Sequence, residues 1–305
     1  MRRLGTSSFS QSEHVPLIVF FIAGAFVMTQ TLPWPHPTVH YSYVILFFAT
    51  LSKIFTGPGQ SPCIGVVIPA LLADSTLNQT NSSITFLYLI ATTSSALTLP
   101  LLGAQIDKLG IRTTTAITTF LLSCACFFFS FSANTVTLLL SFYFLRLFGQ
   151  GSLFTCAVTA INYWWVESRG KAMGVAGACV SAVMLGLVPI MLTHLIAVGG
   201  WRSTYQTLGL LLLFFLLPVT LFFWREKPEE YGTYPDGEFT KPETVREKPT
   251  TATAAPTIKE PTRTPAFMVY AFSDLIFAAT GTAFFFHLKG VYADSNAPEA
   301  VTNAV

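Results

Sequence analysis

The chain has 305 residues, of which 52% are hydrophobic and only 10% are charged, and its formal net charge is +2. Soluble globular domains carry about 25% charged residues, so this composition argues against an ordinary soluble protein. No basic patch with interleaved aromatic residues occurs, which argues against a nucleic-acid partner.

Uncharged apolar stretches of about 20 residues are long enough to cross the hydrocarbon layer of a bilayer as helices. The predicted spans, in chain order, are 15–34, 43–72, 84–104, 113–133, 135–161, 172–198, 203–224 and 265–288. Most joins between them are short, as in helical hairpins. The sequence therefore predicts an all-α, polytopic membrane helix bundle and an integral, multi-pass protein of the plasma membrane or an endomembrane.

These spans divide the chain into four parts. Residues 1–42 hold an N-terminal tail with an additional apolar helix, and residues 43–224 hold six core helices. Residues 225–264 combine fifteen charged residues with several prolines and threonines, which predicts a flexible, solvent-exposed cytoplasmic linker. Residues 265–305 hold one further helix and a polar tail.

Basic residues in short joins indicate which side of the membrane is cytoplasmic. The joins 105–112 and 162–171 and the linker 225–264 contain Lys and Arg, whereas the join 73–83 contains neither. The sequence therefore predicts that the three basic joins lie on one face, and that this face is cytoplasmic.

The first apolar stretch, 15–34, does not fit this orientation, because Arg2 and Arg3 also favour a cytoplasmic N-terminus. Three interpretations are open. The stretch is an additional helix that violates the charge rule, a segment that lies along the interface or re-enters the membrane, or a targeting segment. We favour the additional helix.

The charged turn between the second and third core spans is the first candidate functional element. Its gating residues are Gly103, Asp107, Lys108, Gly110 and Arg112. Gly103 allows helices to approach closely, and Gly110 allows a tight reversal. Charge pairs and a helix dipole at the acidic residue can hold a cytoplasmic gate shut. The alternative is a polar hairpin turn without a gating role.

Arg146 and Lys53 lie inside predicted spans and are candidates for binding substrate or a coupling ion. A charge at the centre of a membrane helix costs roughly 2.5–3.5 kcal/mol on insertion scales, so Arg146 must face a cavity or a partner. It either binds an anion or coupling ion, or bonds helix carbonyls and locks the bundle. Lys53 either attracts a carboxylate or extends its head to the interface, and we favour the second interpretation.

Gln60 and Asp274 complete the substrate or coupling candidates. Gln60 follows Gly57-Pro58-Gly59, which is predicted to break the first core helix, and such breaks often mark transporter substrate sites. The alternative is a proline kink that only shapes packing. Asp274 either accepts a proton, pairs with a base such as Arg146, or is solvated near the cytoplasmic end of its span.

Neither catalysis nor a cofactor is indicated. The five cysteines lie inside apolar spans and show no metal-ligand spacing with the histidines, so we predict no metal site. No phosphate-binding loop and no nucleophile–base arrangement occurs. The sequence therefore predicts neither an enzyme nor a nucleotide-driven pump.

Five motifs occur in an order that is typical of one transporter family. They are the turn Gly103-x-x-x-Asp107-Lys108-x-Gly110-x-Arg112, the segment Arg146-Leu-Phe-Gly149-Gln-Gly151, Tyr163-Trp164-Trp165 followed by Arg169-Gly170-Lys171-Ala172-Met173-Gly174, the turn Gly200-Trp201-Arg202, and Lys227-Pro228-Glu229-Glu230-Tyr231-Gly232. With them the chain resembles the major facilitator superfamily over residues 43–300, and most of all its monocarboxylate and oxalate–formate branches. It departs at Gln105 and Ile111, and it lacks the acidic-Gly-aromatic opening typical of animal monocarboxylate carriers.

The resemblance implies a fold and an activity. Residues 43–224 would form the N-terminal six-helix bundle of such a carrier, and 265–305 would hold the first helix of an incomplete second bundle. The implied function is secondary transport of a small solute by alternating access, the solute being a monocarboxylate or other organic anion coupled to a proton. The implied helix-packing residues are Gly149, Gly151, Arg169, Gly170 and Gly174.

Carriers of this family have two six-helix bundles, so we expect the chain to be a C-terminally truncated fragment that does not transport alone. Uptake by the purified monomer would contradict this. The alternative is a short protein that dimerises to complete the pathway. A different class, a non-transporting scaffold or seven-helix receptor, also fits the helix count. However, a receptor with an external N-terminus would place the joins after core helices one, three and five in the cytoplasm, not those after two, four and six.

Overall fold

Helices build the described part of the chain, because backbone polar groups in hydrocarbon must be satisfied within their own segment. The computed structural model describes residues 40–237 and 264–294, with side chains up to residue 284 in the last helix. No strand occurs within these residues, and the predicted all-α class is confirmed. The predicted apolar stretch 15–34 lies outside the described residues.

The α-helices of the described residues follow the predicted spans closely. They are α1 (Tyr41–Ile54), α2 (Ser61–Ala73), α3 (Asn81–Thr98), α4 (Pro100–Leu109), α5 (Ile111–Ser130), α6 (Thr135–Leu145), α7 (Phe154–Trp164), α8 (Arg169–Ala182), α9 (Val188–Leu211), α10 (Leu217–Phe223) and α11 (Pro265–Asp294). Three π-helical turns join consecutive helices without ending them. They are Arg146–Leu153 after α6, Val183–Leu187 after α8 and Leu212–Leu216 after α9.

Several of these segments have the length and composition of membrane spans. Four described stretches qualify: Ile111–Ser130, Thr135–Trp164, Arg169–Phe223 and Pro265–Phe284. The pair formed by α3 and α4 makes a fifth when its 42° bend is counted as one broken span. None of the residues Pro265–Phe284 is buried against the other described residues. The chain is a multi-pass membrane protein.

The first core span, predicted over 43–72 with a break at Gly57-Pro58-Gly59, is broken at that position. It divides into α1 and α2 around a short 3₁₀ turn, Gly57–Gly59. Pro58 has no N–H to donate, and the flanking glycines favour irregular backbone, so the helix cannot continue through this segment.

The charged turn reverses at Gly110, as predicted, but it is shorter than the predicted segment 103–112. Helix α4 continues through the predicted turn as far as Leu109, and the reversal is confined to Gly110, whose φ is +79°. A positive φ is easily adopted by glycine alone, which explains why the chain turns at that residue. Gly200, with φ +76°, makes the corresponding reversal inside the stretch Arg169–Phe223.

The joins assemble at two ends of the bundle. The basic end, formed by 105–112, 162–171 and 225–237, is held together by contacts that are described below. The opposite end is formed by 74–80, 131–134 and 199–202. The structure therefore brings the three basic joins to one end, as the charge distribution predicts, while the cytoplasmic location of that end remains a prediction.

The described start of the predicted linker is not a free, fully exposed segment. Residues 225–237 contain two 3₁₀ turns, Pro228–Tyr231 and Pro235–Gly237, and they pack on the basic end. Trp224 and Pro228 are buried there. The guanidinium of Arg225 lies 4.5 Å from the ring centroid of Tyr41, so the exit from the last core helix is anchored to the start of the first. Residues 238–263 lie outside the described part.

Candidate functional site

The break in the first core span crosses the π-helical turn of the fourth core span at very short range. A Cβ atom on Gly59 would lie 2.1 Å from the backbone oxygen of Leu145, and one on Gly149 would lie 3.1 Å from the Cα of Gly59. Real Cβ atoms essentially never approach backbone as closely as 2.1 Å, and 3.1 Å is tighter than most Cβ contacts. The two backbones therefore touch, and only glycines permit the contact.

Gly151 lies on the same π-helical turn in a less crowded position. A Cβ there would lie 3.1 Å from a methyl carbon of Leu99. Because that atom is at the end of a flexible side chain, this contact can adjust where the contact at Gly59 cannot. We call the meeting of Gly59 and Gly149 the glycine crossing.

Arg146 begins the π-helical turn and binds the break directly. Arg146 is 9% exposed. Its Nη1 donates to the Gly59 carbonyl at 3.2 Å and to Ser61 Oγ at 3.5 Å. The guanidinium carbon lies 5.1 Å from the ring centroid of Tyr88. No ion pair joins Arg146 to a carboxylate within residues 40–237 and 264–284. These contacts support the bundle-locking interpretation, and they leave the positive charge without a counter-charge in that part of the chain.

Hydroxyl and amide side chains form further hydrogen bonds around the break, one of them to its backbone. The Tyr205 hydroxyl donates to the Pro58 carbonyl at 3.4 Å, and Ser61 Oγ lies 3.1 Å from the Tyr88 hydroxyl. Gln60 donates from Nε2 to Thr56 Oγ1 at 2.9 Å. A broken membrane helix needs such partners for its freed backbone groups.

Lys53 lies in the last turn of α1, one helical turn before the break. The residue is only 6% exposed, and its Nζ lies 4.8 Å from the ring centroid of Phe154. This burial does not favour the predicted extension of the side chain to the interface, which stays a prediction. No carboxylate among the described side chains forms an ion pair with Lys53.

The five gating candidates separate into two groups. Gly103, Asp107 and Lys108 are exposed, and no described residue forms an ion pair with either charge. No atom lies within 4 Å of the position of a Gly103 Cβ, so the predicted close approach of helices is absent in the described part of the bundle. Gly110 and Arg112 instead contact the exit of the last core helix.

Glu226 is the residue that binds the end of the charged turn, and sequence reasoning missed it. Its carboxylate accepts the backbone N–H groups of Ile111 at 2.9 Å and Arg112 at 3.2 Å. A carboxylate at a helix N-terminus satisfies free N–H groups and meets the positive end of the helix dipole. The indole of Trp164 donates to the Glu226 carbonyl at 2.8 Å. No local spacing could have indicated this residue, because it lies over a hundred positions from its partners.

Asp236 is a second linker carboxylate that accepts backbone N–H groups, here in the loop just before α8. Its carboxylate accepts backbone N–H groups from Val166, Glu167 and Ser168 at 2.8–2.9 Å. Burial alone raises the pKa of Asp236, but these three hydrogen bonds and the charge of Arg169 outweigh it, so the pKa is lowered. Two carboxylates of the predicted linker thus bind backbone N–H groups of the bundle, one at the start of α5 and one in the loop just before α8.

The remaining predicted residues are spread over the bundle surface. Arg169 donates from Nε to the Trp165 carbonyl at 3.4 Å. Gly170 and Gly174 are exposed, and a Cβ on either would meet no atom within 4 Å. Close packing therefore occurs at Gly149 and Gly151 but not at these two within the described residues. Asp274 is exposed on α11, and the predicted alternative of a pair with Arg146 is not observed.

The opposite end is closed by an ion pair that sequence reasoning also missed. Arg202 pairs with Asp74 and donates to the Ser132 carbonyl at 2.9 Å, while the Trp201 indole donates to Asp74 at 3.0 Å. Burial raises the pKa of Asp74, but hydrogen bonds from Thr76, Arg202 and Trp201 outweigh it and hold the pKa below its ordinary value. One basic residue therefore joins three loops.

The comparisons with known proteins give the family. The profile described as Major Facilitator Superfamily matches residues 59–301, which is more than half of the chain. No curated protein and no solved structure matches. The matched region begins at the glycine crossing and includes the charged turn, the π-helical turns and α11. The chain belongs to the major facilitator superfamily, and it is a multi-pass membrane transporter of the secondary type.

Proposed function

We propose that the protein carries a small organic anion, a monocarboxylate by preference, by alternating access and together with a proton. One observation carries the choice of an anion: Lys53, one helical turn before the break, and Arg146, which bonds to the break from the fourth core span, are both buried cations. Neither has a carboxylate partner among the described side chains. A buried charge without a partner is unfavourable, so a negatively charged ligand between the spans would be stabilised.

The geometry of Arg146 suits a carboxylate. Both of its hydrogen bonds to the break use Nη1. A guanidinium has five N–H donors in a planar fork, so the Nη2 and Nε side can bind a carboxylate through two parallel hydrogen bonds. The same residue then holds the break and recognises the substrate, which joins the two interpretations that the sequence left open.

Alternating access is supported by the irregular backbone of the spans. The first core span is divided by a 3₁₀ turn, and the fourth, fifth and sixth each contain a π-helical turn. Such segments bend more readily than continuous helix. Asp107 and Lys108 remain gating candidates because their exposed charges at the basic end are available to a facing surface. Asp274 remains the candidate proton acceptor.

Binding and uptake measurements test the substrate class. We expect radiolabelled lactate, pyruvate or oxalate to bind the protein in nanodiscs. Uptake into proteoliposomes is measured on a full-length version that contains both bundles, and it should rise with an inward proton gradient. Lys53→Met should weaken binding by about tenfold or more, which corresponds to one hydrogen bond to a charged group. Lys171→Gln, which removes an exposed cation at the basic end, is the matched control and should bind as the parent does.

Each result has a clear meaning. If none of the three acids binds a correctly folded preparation of the chain, and none is taken up by the full-length version, the anion assignment is wrong. If an acid binds equally well to the Lys53→Met and Lys171→Gln variants, Lys53 is not part of its site. Uptake that does not depend on the proton gradient would contradict the proposed coupling to a proton, but not the proposed substrate class.

A further inference from the structure

The first and fifth core spans are fastened to each other at both ends. Near the basic end, the Trp165 indole donates to the Ser42 carbonyl at 3.3 Å, shortly before α8 begins. At the opposite end, the Trp201 indole donates to Asp74 at 3.0 Å, and Arg202 forms an ion pair with the same carboxylate. Ser42 lies in the first turn of α1, and Asp74 directly follows α2. The two ends of the fifth span are therefore held at the two ends of the first.

The π-helical turn Val183–Leu187 lies near the middle of the fifth span. At 1.5 Å per residue it is about 20 Å from Arg169 at one end and from the reversal at Gly200 at the other. The Val188 N–H donates to the Val183 carbonyl, five residues back, as in a π-helix. Helices kink preferentially at such turns. The fifth span is thus fixed at its ends and most easily bent at its centre.

Pro189 explains why the helix is irregular there. It is the second residue of α9 and directly follows the turn. Proline has no N–H group, so the Leu185 carbonyl, four residues earlier, receives no helical hydrogen bond from it, and the ring crowds that carbonyl. Gly186, inside the turn, lowers helix stability by about 1 kcal/mol relative to alanine. Pro218 has the same position after the π-helical turn Leu212–Leu216. The turn is therefore a consequence of the local sequence.

The first span is also irregular at its centre, but its centre is held in place. The glycine crossing brings its backbone against the fourth span, and Arg146 donates to the Gly59 carbonyl. Toward the fifth span, the break meets a flexible side chain instead of backbone: a Cβ on Gly57 would lie 3.3 Å from the methyl carbon of Met184. Met184 belongs to the π-helical turn and is buried. Of the two centres, that of the fifth span is therefore the one able to move.

We propose that the fifth core span bows at Val183–Leu187 while both of its ends stay attached to the first span. The bowing withdraws Met184 from Gly57 and returns it, and so opens and closes the space beside the break. A span fixed at both ends changes shape in its middle without separating the loops, which distinguishes this movement from a rigid-body rotation. Its role in alternating access rests on the proposed function, whereas the bowing itself depends on no substrate.

The native cysteines report the movement in the unaltered chain. Cys63 is 1% exposed, and its Sγ lies 3.5 Å from the position of a Gly57 Cβ, in the same buried cluster as Met184. Cys126 and Cys156 are buried as completely but lie in the third and fourth spans. In nanodiscs without added substrate, we expect N-ethylmaleimide to alkylate Cys63 at least about tenfold faster than these two, because local opening gives the reagent access. Mass spectrometry of the cysteine peptides measures the three rates.

A pair of proline variants tests the position of the hinge. Pro189→Ala restores the missing N–H group and allows regular helix through the turn, so alkylation of Cys63 should slow by about tenfold. Pro69→Ala makes the same exchange at an exposed position inside α2, a helix without a π-helical turn, and is the matched control. It should leave the rate at Cys63 as in the parent.

The results that would overturn the proposal are distinct. Equal rates at Cys63, Cys126 and Cys156, whether fast or slow, would show that the fifth span does not bow separately from the rest of the bundle. An unchanged rate in Pro189→Ala would show that the π-helical turn is not the hinge. Equal slowing in Pro69→Ala would show that general helix stability is responsible. Because no substrate is present, none of these results bears on the anion assignment.

Discussion

The charged turn at the basic end and the glycine crossing inside the bundle both combine glycine with a cationic side chain, but they are built in opposite ways. At the turn, Gly103, Asp107 and Lys108 face outward and contact no described partner closely. At the crossing, Gly59 touches the fourth core span and Arg146 is buried against it. The charged turn, which is typical of the family, thus has few close contacts with described residues. The glycine crossing, which is harder to recognise in the sequence, holds the first and fourth core spans together.

The difference shows that a glycine or charge in a membrane bundle has no fixed role until its neighbours are known. At the crossing, every substitution meets backbone atoms that cannot move aside. At the turn, contacts constrain only the reversal at Gly110, where the Glu226 carboxylate binds the following backbone. Paired substitutions, one in each region, test the comparison.

Gly59→Ala and Gly103→Ala should differ most. The alanine Cβ at the crossing would overlap the Leu145 backbone oxygen, so we expect a loss of about 3 kcal/mol or more in the free energy of unfolding. Gly103 lies inside α4 with open space around it, so alanine there should raise helix stability by up to about 1 kcal/mol. Thermal unfolding in nanodiscs measures both. Equal melting temperatures would contradict the close contact.

Arg146→Ala and Lys108→Ala compare a buried with an exposed cation. Truncation of Arg146 leaves the Gly59 carbonyl without its donor and removes the packing on Tyr88, which should cost about 2–3 kcal/mol. Lys108→Ala should change stability by less than about 0.5 kcal/mol, as for most surface positions. Chemical unfolding of the purified variants checks this. A smaller loss for Arg146 than for Lys108 would show that the hydrogen bond to the break contributes little.

Glu226→Gln and Asp107→Asn compare two carboxylates near the same turn. Glu226 binds two N–H groups at the start of α5, and removing its charge should cost about 1 kcal/mol. Asp107→Asn should leave the melting temperature unchanged because no described side chain pairs with it. Hydrogen exchange at Ile111 should increase only in the Glu226 variant. Faster exchange in both would mean that the turn is held by Asp107 as well.

The pH dependence of Asp236→Asn is the smallest expected effect. Because the folded-state pKa of Asp236 is lowered, its stabilising contribution is present above the ordinary aspartate pKa of about 3.9 and is lost as pH falls through the folded value. The melting temperature of the parent should exceed that of the variant at pH 7 and pH 5. The difference should shrink below about pH 4. A difference that grows on acidification would contradict the assigned cap.

Local patterns were sufficient for the architecture. Apolar runs longer than a bilayer is thick predict membrane helices wherever they occur, and the short joins predict their order. The reversal at Gly110, the break at Gly57-Pro58-Gly59 and the motif order that indicates the major facilitator superfamily are readable for the same reason, since each depends on residues close together in the chain.

The tertiary structure decided which residues act together. Arg146 reaches Gly59 across 87 positions, and Glu226 reaches Ile111 across 115, so neither partnership leaves a local signal. The burial of Lys53 beneath Phe154 also depends on how α1 and α7 meet. Hydropathy is a property of each segment by itself, whereas a hydrogen bond or a close backbone contact is a property of two segments after packing. The sequence by itself therefore determined that this is a membrane transporter, and packing alone decided where its buried charges lie.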